Sequence, residues 1–242
     1  LPTSSDPAVA LRTLLVCATP RSGSGVLCES LSGTGRAGRI DEYLHPPVAA
    51  VYAAQWGTGP GPAWAARLLD EARTPNGVLG VKVMWPDLER TLAGRGPVAA
   101  GFLERWPGPL LCVHLARRDR LRQAISMWRA GATGVFQQRP GAPPRQARPL
   151  PEFWRGAIEN RIREIERAER SWGAWFDARG LSPLRLVYED DVADRLGVTV
   201  GRVLDALGEP ASSPTSPPTY RRQADEWTER MIARFQAGGD GS

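Results

Sequence analysis

The stretch at residues 13–35, TLLVCATPRSGSGVLCESLSGTG, constrains this chain more than any other. Leu14 to Ala18 form a short run of apolar or small residues, the pattern of a buried strand. Thr19-Pro20-Arg21-Ser22-Gly23-Ser24-Gly25 is polar and glycine-rich. Val26, Leu27, Ser30 and Leu31 then recur at helical spacing. Strand, tight loop and helix in that order aim several backbone N–H groups at one spot, at the positive end of a helix. That arrangement is an anion site, to which Arg21 adds a fixed charge and Ser22 and Ser24 add hydroxyl donors. The same glycines would also serve an ordinary tight turn, so the loop alone leaves both readings open. It is not the usual triphosphate loop, G-x-x-x-x-G-K-S/T, because no lysine follows Gly23 or Gly25. Lys82 is the only lysine in the chain, so arginine must neutralise whatever binds there.

Further strand patterns follow. Residues 78–84 (VLGVKVM), 110–115 (LLCVHL) and 184–187 are short and apolar. Between them, residues 47–56, 62–73, 86–92 and 97–105 read as helices. Leu121, Ala124, Ile125 and Trp128 mark one face of a helix that Asp119 can cap. The longest helical pattern runs over 152–178, and Gly173 leaves a break in it open. Short helices are expected at 194–196 and 200–207, and an arginine-rich amphipathic helix over 220–235. Residues 36–44 are expected to lead back across the mouth of the sheet. Strands alternating with helices predict an α/β fold of three layers, with a largely parallel sheet flanked by helices. Ligands of such sheets sit at the carboxyl ends of the strands. Residues 20–25, Trp85, residues 117–119 and residues 189–190 all fall at such ends, so segments far apart in sequence converge.

A chain of 242 residues suits one domain with a sizeable core. We expect a loose lead-in over 1–11, a composition break over 134–149 and a Pro/Ser/Thr linker over 210–218. The net charge of +5 suits nucleic acid and a phosphorylated small molecule equally, but no run of four basic residues occurs, which argues against nucleic acid. Three cysteines without a C-x-x-C exclude a disulfide framework and a zinc knuckle and predict a reducing, cytoplasmic setting. No apolar run approaches the ~18 residues of a membrane span, and no signal-peptide pattern opens the sequence.

Five segments, in order, resemble the Stf0-type sulfotransferase family: Thr19-Pro20-Arg21-Ser22-Gly23-Ser24, then residues 35–42, 75–85, 117–130 and 222–225. The resemblance implies a P-loop-like sulfotransferase fold. It also implies transfer of a sulfuryl group from 3′-phosphoadenosine 5′-phosphosulfate (PAPS) to a hydroxyl, leaving the bisphosphate PAP. The family's 5′-phosphosulfate loop falls on Pro20, Arg21, Ser22, Gly23, Ser24 and Gly25, with glycine at position 25 where the family usually carries threonine. Its 3′-phosphate site falls on Ser126 and on Arg117, with Arg118 as the alternative, and its C-terminal segment brings Arg222 to the cofactor. The family's catalytic base falls on Glu42, with His45 as the rival, whereas His114 reads as a hydrogen-bonded core histidine. Arg21 and then Lys82 are candidates to stabilise charge during transfer. Lys82 could instead pair with a carboxylate such as Glu42 or Glu89, since a lysine on a buried strand is costly unless paired.

No metal is required by this chemistry, and no H-E-x-x-H cluster is present. The expected partner is a small-molecule hydroxyl. Residues 134–149 are read as an acceptor lid, and a homodimer is implied by the family. The segment after Glu42 is shorter than in trehalose-sulfating members, so a sugar, a nucleoside or a secondary metabolite is expected as acceptor. Two rival readings stand beside this one. The first is a kinase-like phosphotransferase with an unusual loop, which the missing lysine opposes. The second is a non-catalytic nucleotide-binding or interaction protein on the same fold.

Overall fold

The computed structural model describes residues 10–103, 106–136, 148–215, 219 and 225–238. Its centre is a four-stranded, all-parallel sheet made of β1 (Arg12–Ala18), β2 (Val78–Met84), β3 (Leu110–Ala116) and β4 (Leu184–Val187), in the order β2-β1-β3-β4. The pairing register brings the carboxyl ends level: Ala18 lies opposite both Met84 and Leu115, and Ala116 lies opposite Val187. The chain leaves β1 for β2 on one side and reaches β3 on the other. The crevice between the ends of β1 and β3 is therefore a topological switch point, where open parallel sheets bind ligands.

Alternate strand residues feed two core layers. Leu15, Cys17, Leu79, Val81 and Val83 pack with α2 (Pro46–Trp56), α3 (Pro62–Glu71), α4 (Trp85–Leu92) and α6 (Arg155–Asp177). Leu14, Val16, Val113, Leu115 and Leu186 pack with α1 (Ser24–Gly33) and α7 (Leu196–Ala206). A third cluster joins α5 (Arg120–Thr133) and α6 to α8 (Glu226–Gln236) through Ile125, Trp128, Ile158 and Trp227. The expected α/β fold, a central parallel sheet flanked by helices, is thus present. Cys17, Cys28 and Cys112 are buried free thiols. Among the described residues, no helix is long and apolar enough to cross a membrane.

The long helix passes Gly173 without a break, because Trp172, Trp175 and Phe176 bury their rings and carry the helix through. Several local expectations differ from what forms. Of the helix expected over 97–105, the described residues 97–103 form one 3-10 turn, Ala100–Phe102, in a stretch interrupted by Gly101. The two short helices expected near 194–207 are one, α7, preceded by a wide turn over Tyr188–Val192 in which the Ala193 N–H reaches back to Tyr188 O at 2.9 Å. Residues 36–42 run along the outer edge of β2 rather than across the mouth: Asp41 pairs in parallel with Val81, and the Lys82 N–H donates to Asp41 O at 3.0 Å. Two glycines permit that approach. A Cβ on Gly38, whose φ is 81°, would lie 2.1 Å from the Gly80 nitrogen, and a Cβ on Gly80 would lie 2.6 Å from the Ala37 carbonyl oxygen.

Candidate active site

The loop after β1 is built from backbone. Gly23 caps α1 at φ 90° with no side-chain capping bond, and Arg21 sits at φ 65°, in the left-handed region. A Cβ on Gly23 would also fall 2.3 Å from the Tyr188 ring, so glycine is demanded there twice, by conformation and by space. The Ser22 N–H donates to Thr19 O at 3.3 Å, while the N–H groups of Gly23, Ser24 and Gly25 donate to no group among the described residues. Ser22 is fully buried, and its Oγ has no hydrogen-bond partner among the described residues. A buried hydroxyl left without a partner is costly, and beside a helix N-terminus it marks a place where an anion fits.

Cations gather on this loop. Arg21 Nε donates to Ser126 Oγ at 2.9 Å, and Arg21 Nη1 donates to the Phe136 carbonyl. Arg117, just past the end of β3, donates from Nη1 to Arg21 O at 3.2 Å, stands 3.5 Å from Glu189 Oε1 and lies over the Tyr188 ring at 4.9 Å. Burial lowers the pKa of the Arg21 guanidinium, and the charges of Arg117 and Arg129 lower it further. Arg129 follows Ser126 on α5 and pairs with Asp225 at 2.7 Å. Arg117 is lowered chiefly by burial. Partly buried cations crowded together in this way are relieved by an anion among them. Arg118, the alternative, turns outward to Asp190. Of the two candidate arginines, Arg117 touches the loop.

Beneath the loop lies a polar layer that sequence reading missed. Gln123, buried on α5, donates from Nε2 to Thr19 Oγ1 and to Pro20 O, both at 2.8 Å. Thr19 Oγ1 donates to Glu169 Oε1 at 3.1 Å, and Glu169 Oε2 stands 3.3 Å from His114 Nε2. Burial opposes the Glu169 charge, but His114, Arg120 and the Thr19 hydroxyl outweigh it and hold the carboxyl below its ordinary range. His114 is buried on its strand, as expected, but its Nε2 makes no hydrogen bond among the described residues although Glu169 lies 3.3 Å away.

Across the carboxyl edge, a second group forms beside β2. Lys82 Nζ lies 2.7 Å from Glu42 Oε1, and the side chains are 5% and 17% exposed, so the pair is largely shielded from water. The neighbour Asp41 is engaged elsewhere: it accepts from Tyr52 OH and from the Glu42 N–H, each at 2.8 Å. His45 caps α2, and its Nδ1 stands 3.2 Å from both oxygens of Asp87, in the first turn of α4. Arg90 supports Asp87 at 3.0 Å. Glu42, His45 and Asp87 bring ligand-type atoms within 4.8 Å of one another. The Asp87 hydrogen bond raises the His45 pKa against the opposing effect of burial, and the charges of Asp87 and Glu42 add to the rise.

Pro20 to Gly25, Arg117 and Ser126 therefore meet at the β1–β3 crevice, while Glu42, Lys82 and His45 meet beside β2. Arg222 lies outside the described residues, as do 137–147 of the expected lid and 216–218 of the expected linker.

Comparison with known proteins adds an independent line. The family model described as Stf0 sulphotransferase matches residues 13–238. Trehalose 2-sulfotransferase of Mycobacterium tuberculosis is 33% identical over 261 aligned residues, covering 94% of this chain and 96% of that protein. Trehalose 2-sulfotransferase of Mycolicibacterium smegmatis is 32% identical over 256 residues, covering 92% of this chain and 93% of that protein.

Proposed function

The chain belongs to the Stf0 sulphotransferase family, and from that premise we propose that it moves a sulfuryl group from PAPS to a hydroxyl of a small molecule. The observation that carries this reading is the lysine-free loop. Its buried, unpartnered Ser22 Oγ and the charges of Arg21 and Arg117 suit an anion of phosphate type. When bound, PAPS supplies a sulfuryl group on a phosphosulfate anhydride, which is already activated for transfer.

The chain's own residues divide the work. The N–H groups of Gly23, Ser24 and Gly25 and the Ser22 hydroxyl bind the 5′-phosphosulfate end, and Arg21 stabilises the charge that grows on its oxygens. Arg117 and Ser126 hold the 3′-phosphate, and Arg222 approaches the same cofactor. Glu42 takes the proton of the acceptor hydroxyl as the new S–O bond forms and the old one breaks in line. Lys82 orients Glu42 while the hydroxyl approaches. A second reading of the base has support in the Asp87 bond to His45 Nδ1, which leaves Nε2 as the ring nitrogen to receive a proton.

Both relatives are trehalose 2-sulfotransferases by name. For this chain we propose a sugar, nucleoside or secondary-metabolite hydroxyl, enclosed by a lid over residues 134–149. Calorimetric titration with PAP and, separately, with ATP tests the donor. Micromolar binding of PAP with much weaker binding of ATP is expected, and a folded protein that ignores PAP overturns the reading.

A further inference from the structure

Arg21 is the only non-glycine residue with a positive φ among the described residues. A side-chain-bearing residue stays left-handed only where its surroundings hold it. Here the hold is visible on both flanking peptides. The Pro20 carbonyl accepts from Gln123 Nε2 at 2.8 Å, and the Arg21 carbonyl accepts from Arg117 Nη1 at 3.2 Å.

Gln123 has no other evident reason to be where it is. Glutamine is rarely fully buried, and a buried amide is costly unless its donors are used. Among the described residues the Nε2 of Gln123 donates to residues 19 and 20 only, and its Oε1 accepts from Arg120 at 3.4 Å. The Thr19 hydroxyl is fixed from both sides, receiving from Gln123 and donating to Glu169. The last two residues before Arg21 are therefore anchored to α5 and α6. With Arg21 left-handed at φ 65° and Gly23 at φ 90°, the backbone turns so that the N–H groups of Gly23, Ser24 and Gly25 have no acceptor among the described residues, as in the concave rows that bind anions.

We infer that Gln123 is a positioning residue that holds Arg21 in its left-handed conformation and so pre-forms the loop for the phosphosulfate end of the donor. The inference rests on the reading of that loop as the donor site. It makes Gln123 act through Arg21 and not by touching the nucleotide. That distinction can be measured, because glycine adopts a left-handed conformation without help.

The test is Gln123→Met, which keeps the volume and removes both donors, made in the parent chain and in an Arg21→Gly background. PAP binding is read by calorimetry, supported at weak affinity by the rise in melting temperature at millimolar PAP. In the parent chain Gln123→Met should weaken PAP binding about tenfold, the scale expected from freeing one strained residue. It should raise the donor KM by a similar factor and leave the acceptor KM unchanged. In the Arg21→Gly background the same change should cost less than about twofold. An equal loss in both backgrounds, or no loss in either, overturns the inference while leaving the donor assignment intact. Failure of the parent chain to bind PAP overturns the donor reading, and the inference with it.

Discussion

The two halves of the site are made in opposite ways. At the β1–β3 crevice the binding groups are backbone N–H groups, a buried hydroxyl and guanidinium groups, shaped by left-handed residues and by a neutral amide. Beside β2 the candidate groups are titratable side chains from three segments (Glu42 and His45, Lys82, and Asp87), held by ion pairs. The first half cannot change its charge near neutral pH, but any backbone change deforms it. The second depends on single charges, and His45 within it is a group whose pKa is raised by its neighbours. Donor affinity and proton transfer should therefore respond to different perturbations.

Glu42→Gln is the sharpest way to break that separation. Turnover should fall by about 10²–10⁴-fold, the range for removing a general base, while PAP affinity changes less than about twofold. Lys82 keeps an amide acceptor at the same place, so the fold should persist; circular dichroism checks that. A matching fall in PAP affinity would mean that the halves are one unit. The mirror experiment is Arg21→Ala. PAP affinity should fall about 10- to 100-fold, as expected for lost charge-assisted hydrogen bonds. Direct titration measures it, and the pH dependence of the remaining turnover should keep its shape because the proton-handling groups are untouched.

Gly23→Ala probes the backbone half without removing a charge. The added Cβ meets the Tyr188 ring and must adopt φ 90°. A loss of about 1–3 kcal/mol in unfolding free energy, or an equivalent loss of PAP affinity, is expected from such strain. Denaturant melts with and without PAP divide the two. An alanine variant that matches the parent in both would show that the loop is not held in the shape described.

What the sequence made legible follows from the same contrast. The bounds of β2 and β4 could be read directly, because each is a short apolar run, broken only once, by Lys82 in β2 and by Arg185 in β4. The loop was legible because glycine, proline and serine in one short stretch permit few conformations. The Lys82–Glu42 pair was weighed because a lone lysine on an apolar strand needs a partner, although Glu89 was an equal candidate on those grounds. Gln123, Glu169 and Asp87 were not legible. Gln123 meets Thr19 across 104 residues, and nothing near it in sequence marks it as different from any polar helix residue. At Gly173 local propensity leaves a break open, and the packing of the rings of Trp172, Trp175 and Phe176 decides for a continuous helix.

The smallest effect belongs to Asp87→Asn, and it bears most directly on the titratable half. In the folded chain the His45 pKa is raised, first by the Asp87 hydrogen bond and then, against burial, by the charges of Asp87 and Glu42, with Arg90 opposing. A group whose folded pKa lies above its unfolded value contributes stability that is fully present below the unfolded pKa of about 6.5, and loses it as pH rises through the folded value. His45 is 41% exposed at its side chain, so solvent screens the pair and the contribution should stay below about 1 kcal/mol. Removing the Asp87 charge should bring the imidazole back toward its ordinary pKa, read by NMR titration of the His45 ring protons. It should also flatten the fall in stability between pH 6 and 8, while PAP affinity at fixed pH stays where it was. If the titration does not move, His45 is held by Glu42 instead, and the two rival bases share one proton. The pH profile of the Glu42→Gln variant would then shift with it, whereas an independent His45–Asp87 pair leaves that profile unchanged.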